Sequence, residues 1–415
     1  MTIRFVASGN LMATSTNSAA APRCRAHKPL RASLASLGLL WISGAALRMP
    51  VLAVPPLLPL IHSDLNLSET EIGTLAGLPL LLFATAAVPS SLAIARFGAK
   101  STLVAGLFVT AVASALRGAA VDAVTLFAAT MVMGGGIAVM QPALPPLVRA
   151  WLPERIGLAT ATYTNGLLVG EILAVSLTLP WLLPLAGGSW RTAIALWGVP
   201  ILAIALLVVW RGARPVAVAP GEARGPRWWP DWRDPHIWKL GLLFGSVNSI
   251  YFSSNAFLPE YLSHVGASAE ISSALTALNF GQLPASLLML GLAEHLIGRP
   301  SAYAVAGLLC LASVLGILLM SGIWVVFWAG MLGFAGAIAF VLILALPPLL
   351  SAPDDVHRTA AGMFTISYTC AVAIPIIGGL AWDASGLAPV AFAPIGVCAL
   401  VIVVLPFWIE FRRRI

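Results

Sequence analysis

Long apolar runs, nearly free of charge, follow one another along the chain and leave it few folds to choose from. Each is roughly 20–28 residues long and none alternates apolar with polar residues, so each reads as a membrane-spanning helix and not as a tilted barrel strand. In hydrocarbon every backbone N–H and C=O must be paired within the spanning structure, which helices and closed barrels alone achieve. Composition agrees. Apolar residues fill 59% of 415 positions, charged residues 9%, and mean hydropathy is +0.94, whereas a soluble domain carries roughly 25% charge.

The expected fold is an all-α membrane protein of twelve transmembrane helices in two six-helix, pseudo-symmetric halves. The spans fall at 34–61, 72–95, 101–119, 122–149, 157–186, 191–210, 237–262, 270–293, 300–321, 323–350, 359–382 and 387–409. Around them the chain divides into a cytoplasmic tail (1–33), a six-helix bundle (34–211), a linker (212–236), a second bundle (237–410) and a basic tail (411–415). Residues 1–29 are Ser/Ala/Arg-rich and are expected to be a disordered tail or an over-long start, with a transit peptide as the alternative. Of 23 Lys and Arg, 20 fall on one set of loops and tails; Arg117 and Arg191 fall on the other and Arg48 within a span. The positive-inside rule then places both termini and the linker in the cytoplasm. The linker's Trp228, Trp229 and Trp232 are expected on the lipid surface. The net charge of +7 is spread along this rim, so no nucleic-acid partner is expected.

The halves repeat at a shift of about 200 residues: Leu58-Pro59 with Leu258-Pro259, Ser68 with Ser268, Gly98 with Gly298, Pro145-Pro146 with Pro347-Pro348. Same-sense duplication of six spans implies a pseudo-twofold axis along the membrane normal, with solute bound at mid-depth between the halves.

This layout resembles the major facilitator superfamily over about residues 34–410. That family's G-x-x-x-D-R-x-G-R-R loop is represented by Arg96, Gly98 and Lys100, with its acid missing. The second copy keeps Gly298 and Arg299, with Glu294 standing near the acid's place. A narrower similarity, to the cyanate and nitroimidazole transporter branch, rests on Leu47-Arg48-Met49-Pro50, Pro59, Gly77-Leu78-Pro79, Arg117, Tyr163-Thr164, Trp190-Arg191, Tyr251, Asn255 and Leu258-Pro259. Gly166 and Gly170 resemble part of the drug-antiporter G-x-x-x-G-P segment, but Glu171 stands where its proline would be.

Arg48 lies mid-span, where a guanidinium costs about 2.5–3.5 kcal/mol on insertion scales, so it should face a cavity or a partner. It is read as an anion-attracting group, or as the ion-pair partner of Glu171. Glu171, the one acid deep in a span, could carry a proton or serve as fixed counter-charge. Asn248, Tyr251 and Asn255 share one face of the seventh helix, and Asn279 and Gln282 one face of the eighth. Gln141, Tyr163, Asn165 and Tyr368 complete the candidate substrate-binding set; interhelical hydrogen bonding is the alternative for each. No P-loop, HExxH, GxSxG or Cys/His cluster appears, so no enzyme, cofactor or metal site is expected.

The resemblance implies an inner-membrane secondary transporter, monomeric, working on a small anionic or polar, cyanate-like solute by alternating access, with protons as a candidate coupling ion. The alternatives are an exporter of drug-like or nitroaromatic compounds and a non-transporting membrane sensor. Nitrate/nitrite porters fit poorly, because no Arg stands in the second or eighth span.

Overall fold

The computed structural model describes residues 30–67, 69–212 and 227–411, with side chains from residue 34 and, between 69 and 80, for 71, 75, 78 and 79 alone. Residues 1–29, Ser68, linker residues 213–226 and the basic Arg412–Arg414 lie outside the described residues.

Among the described residues there is no strand, and twelve helical rods follow one another. They are α1 (Leu34–Leu65), α2 (Glu69–Phe97), α3 (Ala99–Gly118), α4 (Ala123–Trp151), α5 (Ile156–Leu185) and α6 (Trp190–Arg211). After the linker come α7 (Pro235–His264), α8 (Ser268–Leu296), α9 (Pro300–Leu319), α10 (Ile323–Leu350), α11 (Val356–Ser385) and α12 (Ala388–Trp408). Counted over the described residues, ten are long and apolar enough to cross a membrane. Of the other two, which run in the same bundle, α7 (30 residues) has its hydropathy lowered by its Ser and Asn residues, and α2 (29 residues) is an apolar helix whose side chains are described only in part.

Local chemistry explains the ends and breaks. Pro55 and Pro56 have no N–H to offer the carbonyls of Val51 and Leu52, so α1 loosens there into a short 3-10 turn, Pro55–Leu57, and resumes at Leu58. The kinks of α4, before Pro145-Pro146, and of α10, before Pro347-Pro348, fall at corresponding places in the two halves. Asp122 caps α4 through the Thr125 backbone N–H and hydroxyl, and these bonds hold its carboxyl below the usual carboxylate range. Gly98, at φ +81°, makes the sharp turn between α2 and α3 that a residue with a Cβ would strain.

The packing has internal symmetry. In the first half α1 packs on α5, α3 on α4 and α6, and α2 on α4; in the second α7 packs on α11, α9 on α10 and α12, and α8 on α10. The halves meet along α2–α11 and α5–α8, a pair of contacts that exchange under the same repeat. The outer surface is apolar, with Phe108, Leu116, Leu206 and Leu319 exposed, as a lipid-facing protein requires. Hydroxyls and amides such as Ser91, Asn165, Ser253 and Ser286 are turned inward.

One end of the bundle carries the α2–α3, α4–α5, α6–α7, α8–α9 and α10–α11 connections and is called here the linker face; the other is the far face. The linker's end differs from the lipid-surface expectation. The Trp228 carbonyl accepts a hydrogen bond from Ser91 on α2 at 2.6 Å, the Trp229 carbonyl one from Arg358 on α11 at 2.9 Å, and Pro230 is buried against Gly362. Trp229 alone of the three tryptophans stays exposed. Backbone carbonyls cannot be left bare beside a bundle, and the strap satisfies them on both halves.

Candidate functional site

Helices α1 and α5 approach until their backbones touch. A Cβ on Gly44 would stand 2.0 Å from the Tyr163 carbonyl oxygen, one on Gly166 2.0 Å from that of Trp41, and one on Gly170 2.4 Å from that of Ala45. This three-glycine contact carries Arg48, one turn beyond Gly44, and Glu171, beside Gly170, to the same depth of the bundle.

Both side chains open on a central cavity of about 50 Å³, room for a few water-sized groups. The second half supplies Asn248 and Tyr251 from α7 and Gln282 from α8, and the walls are apolar: Leu167, Leu168, Ile250, Leu332 and Phe340 among others. Arg48 and Glu171 feel each other's charge but form no ion pair among the described residues. The Arg48–Glu171 ion pair, the alternative reading of Arg48, is thus not formed, and the two charges face one space. The Tyr251 hydroxyl bridges toward both halves, 2.9 Å from Asn279 Oδ1 and 3.4 Å from Glu171 Oε1. A second cavity of about 180 Å³ lies toward the far face; Arg48, Glu171 and Tyr251 border it too, joined by Val54, Pro55, Phe83, Arg117 and Met133.

Five of the nine substrate-binding candidates line neither cavity. Gln141 donates to the Tyr368 hydroxyl at 2.7 Å, and Tyr368 packs on Phe83. Asn165 accepts from Trp41 Nε1 at 2.8 Å and donates to Ser286 at 2.9 Å. Asn255 is held by Asn279 and by the Tyr251 carbonyl. Tyr163 is buried in the α1–α5 contact with its hydroxyl unpartnered. Asn248, though on the cavity wall, also donates to Ser367 at 2.7 Å.

The loop motif behaves differently in its two copies. Lys100 clamps the end of α6 within its own half, donating to the Val209 carbonyl and to that of Gly212 just past the helix, and Arg96 is exposed. Gly298 has no left-handed backbone and Arg299 is exposed, so that copy lacks the turn that Gly98 makes. Its acid acts across the halves: Glu294 Oε1 accepts the Leu158 N–H at 2.9 Å, capping the start of α5. Nearby, Arg149 of α4 donates to the carbonyls of Pro348 and Ser351 at 2.5 and 2.6 Å. Hydrogen bonds between the halves thus run from the linker face to mid-depth.

Arg117 is the residue that sequence reasoning misplaced. It was counted with the far-face loops, yet it is 2% exposed and turned into the bundle. The available signal was its position before the end of an apolar run, in company with Gly118.

The sequence profile of the Major Facilitator Superfamily matches residues 40–269, more than half of the chain. The cyanate transport protein CynX of Escherichia coli K12 is 29% identical over 385 residues, covering 89% of this chain and 96% of that protein. The 2-nitroimidazole transporter of the same organism is 28% identical over 355 residues, covering 84% and 88%. The solved E. coli fucose:proton symporter FucP superposes with a TM-score of 0.69 at 16% identity, over 91% of this chain and 97% of that one.

Proposed function

The chain belongs to the Major Facilitator Superfamily, and from that premise we propose that it moves a small anionic or polar, cyanate-like solute across the membrane by alternating access. By family it is a multi-pass membrane transporter and not an enzyme. The observation that carries the solute assignment is Arg48: a mid-depth guanidinium without an ion-pair partner, in a cavity to which both halves contribute. A charge so costly to place in a bilayer is kept where something must be attracted to it. Tyr251, Asn248 and Gln282 shape the pocket, and Glu171 either couples protons or balances charge. The likeness to CynX supports a small anion.

The basic residues on the linker face support a cytoplasmic assignment for that face and both termini, in a bacterial inner membrane. In that orientation the Arg149 and Glu294 contacts between the halves would close the cytoplasmic side. The six-helix units 34–211 and 237–410 would be the bodies that rock, joined by 212–236, and the functional unit a monomer.

Cyanate uptake into proteoliposomes tests the assignment. The native protein should show saturable uptake, and Arg48→Ala should lower it by roughly ten- to a hundredfold, the worth of a charge-assisted contact. Equal uptake by the two proteins would remove Arg48 from the reading.

A second reading, export of nitroaromatic compounds, is favoured by the apolar walls at Leu167, Leu168, Ile250, Leu332 and Phe340 and by the second relative. Expression would then lower cellular accumulation of 2-nitroimidazole; an importer would raise it.

A further inference from the structure

Arg117 carries a charge that nothing in its surroundings balances. One Nη1 donates to the Pro50 carbonyl at 2.9 Å and lies 2.9 Å from the Met133 sulfur, both neutral partners. Its Nε is buried without a partner, and among the described residues no carboxylate comes within ion-pair distance. A guanidinium does not give up its proton in a protein, so the charge persists, and a buried unpaired charge is strongly unfavourable.

The Pro50 contact has a local cause. In a regular helix that carbonyl would accept from Val54, but at the break in α1 the Val54 N–H turns to Val51 instead. Arg117 fills the vacancy with one N–H of five. The remaining donors are in excess of what the break requires.

The guanidinium borders the far cavity, about 180 Å³, together with Arg48 and Glu171. Two guanidiniums and one carboxylate leave a single positive charge over. The other walls are largely apolar, with Val51, Leu52, Leu75, Pro79 and Phe83 among them. A strongly hydrated polyanion such as sulfate or phosphate would lose its water there without enough donors to replace it. A small, weakly hydrated monovalent anion matches the charge, the volume and the walls.

We propose that Arg117 holds a second anion site, in the far cavity, which takes one monovalent anion on the way to Arg48. Its place on a path rests on the transporter reading; the binding itself does not. The order of the two arginines gives the path a direction: the anion meets Arg117 first from the far face, then Arg48 at mid-depth, where Glu171 offsets part of the attraction and eases release.

Bromide is a suitable probe, because it scatters anomalously and binds without reacting. Crystals of the native protein soaked in bromide should show an anomalous peak beside Arg117, and so should Arg48→Ala. In detergent, at ionic strength held constant with gluconate, bromide should raise the melting temperature of both proteins, and sulfate should not. In the Arg48→Ala background, Arg117→Gln keeps an amide donor for Pro50 and should weaken bromide at least roughly tenfold, whereas Arg117→Lys, which restores the charge, should recover most of it. No bromide beside Arg117 in the native protein would overturn the proposal. So would equal bromide affinity with Arg and Gln at this position, or loss of all binding in Arg48→Ala alone. Failure of cyanate uptake, with bromide still held at Arg117, would instead count against the transport assignment and leave this site standing.

Discussion

Glu171 receives one long hydrogen bond, 3.4 Å from the Tyr251 hydroxyl, and no cation within ion-pair distance among the described residues. Under the proposed function this carboxylate is the candidate proton carrier, with a fixed counter-charge to Arg48 as the alternative. Glu171→Gln keeps the shape and the acceptor for Tyr251 but cannot ionise. If Glu171 couples protons, an inward proton gradient will accelerate uptake by the native protein and not by this variant; acceleration in both would leave it as the counter-charge. Tyr251→Phe tests the bridge between the halves: Asn279 loses a donor, and stability should fall by about 1–3 kcal/mol, read as a lower melting temperature. At this scale Arg48 and Glu171 were legible because a charge inside an apolar run has no cheap explanation. Gln141, Asn165, Tyr368 and Asn255 were equally visible as polar residues in spans. Their use was not, because whether an amide meets solute or a neighbouring helix depends on which helix lies opposite. Arg117 was hidden for a related reason: near a span end, a sequence cannot show whether a long side chain turns to water or back into the bundle.

Among the elements, the α1–α5 contact sets the site. Gly170→Ala would place a methyl 2.4 Å from the Ala45 carbonyl oxygen, next to backbone that cannot yield without moving a helix. The expected cost is about 1–3 kcal/mol of stability, the usual penalty for overpacking, together with weaker uptake as Arg48 and Glu171 are pushed apart. Gly135→Ala is the matched control, since nothing lies within 4 Å of a Cβ there, and it should change stability by no more than about 0.5 kcal/mol. Melting temperatures of the two variants would separate the contact from a general intolerance of alanine. The Gly166-to-Gly170 spacing could be read from the sequence as a close-packing signal, but its partner, Gly44 with Trp41 and Ala45 on α1, could not. The repeated Pro-Pro kinks of α4 and α10 were legible as a pair, because proline breaks a helix wherever it stands.

For the whole molecule the question is what holds this conformation, closed on the linker face. Two cross-half contacts are placed to do so: Arg149 on the Pro348 and Ser351 carbonyls, and Glu294 on the start of α5. They join corresponding ends of the two halves and must both break if the linker face opens. The twelve-span order and the duplication led to the expectation of two six-helix halves, and rocking between them is part of the proposal. They did not say which face would be shut, because that balance lies in a few contacts between halves and not in any helix. A charge-assisted bond contributes about 1.5–3 kcal/mol and a capping bond about 1 kcal/mol. Arg149→Ala with Glu294→Gln should therefore move the equilibrium toward opening at the linker face by roughly tenfold or more. A cysteine at Val247, on the central cavity wall, in a background otherwise free of cysteine, reports the shift. In inside-out vesicles its labelling by a membrane-impermeant maleimide should speed up in the double variant; in right-side-out cells it should slow. Unchanged rates from both sides would mean that the α2–α11 and α5–α8 packing, and not these two bonds, decides which face is closed.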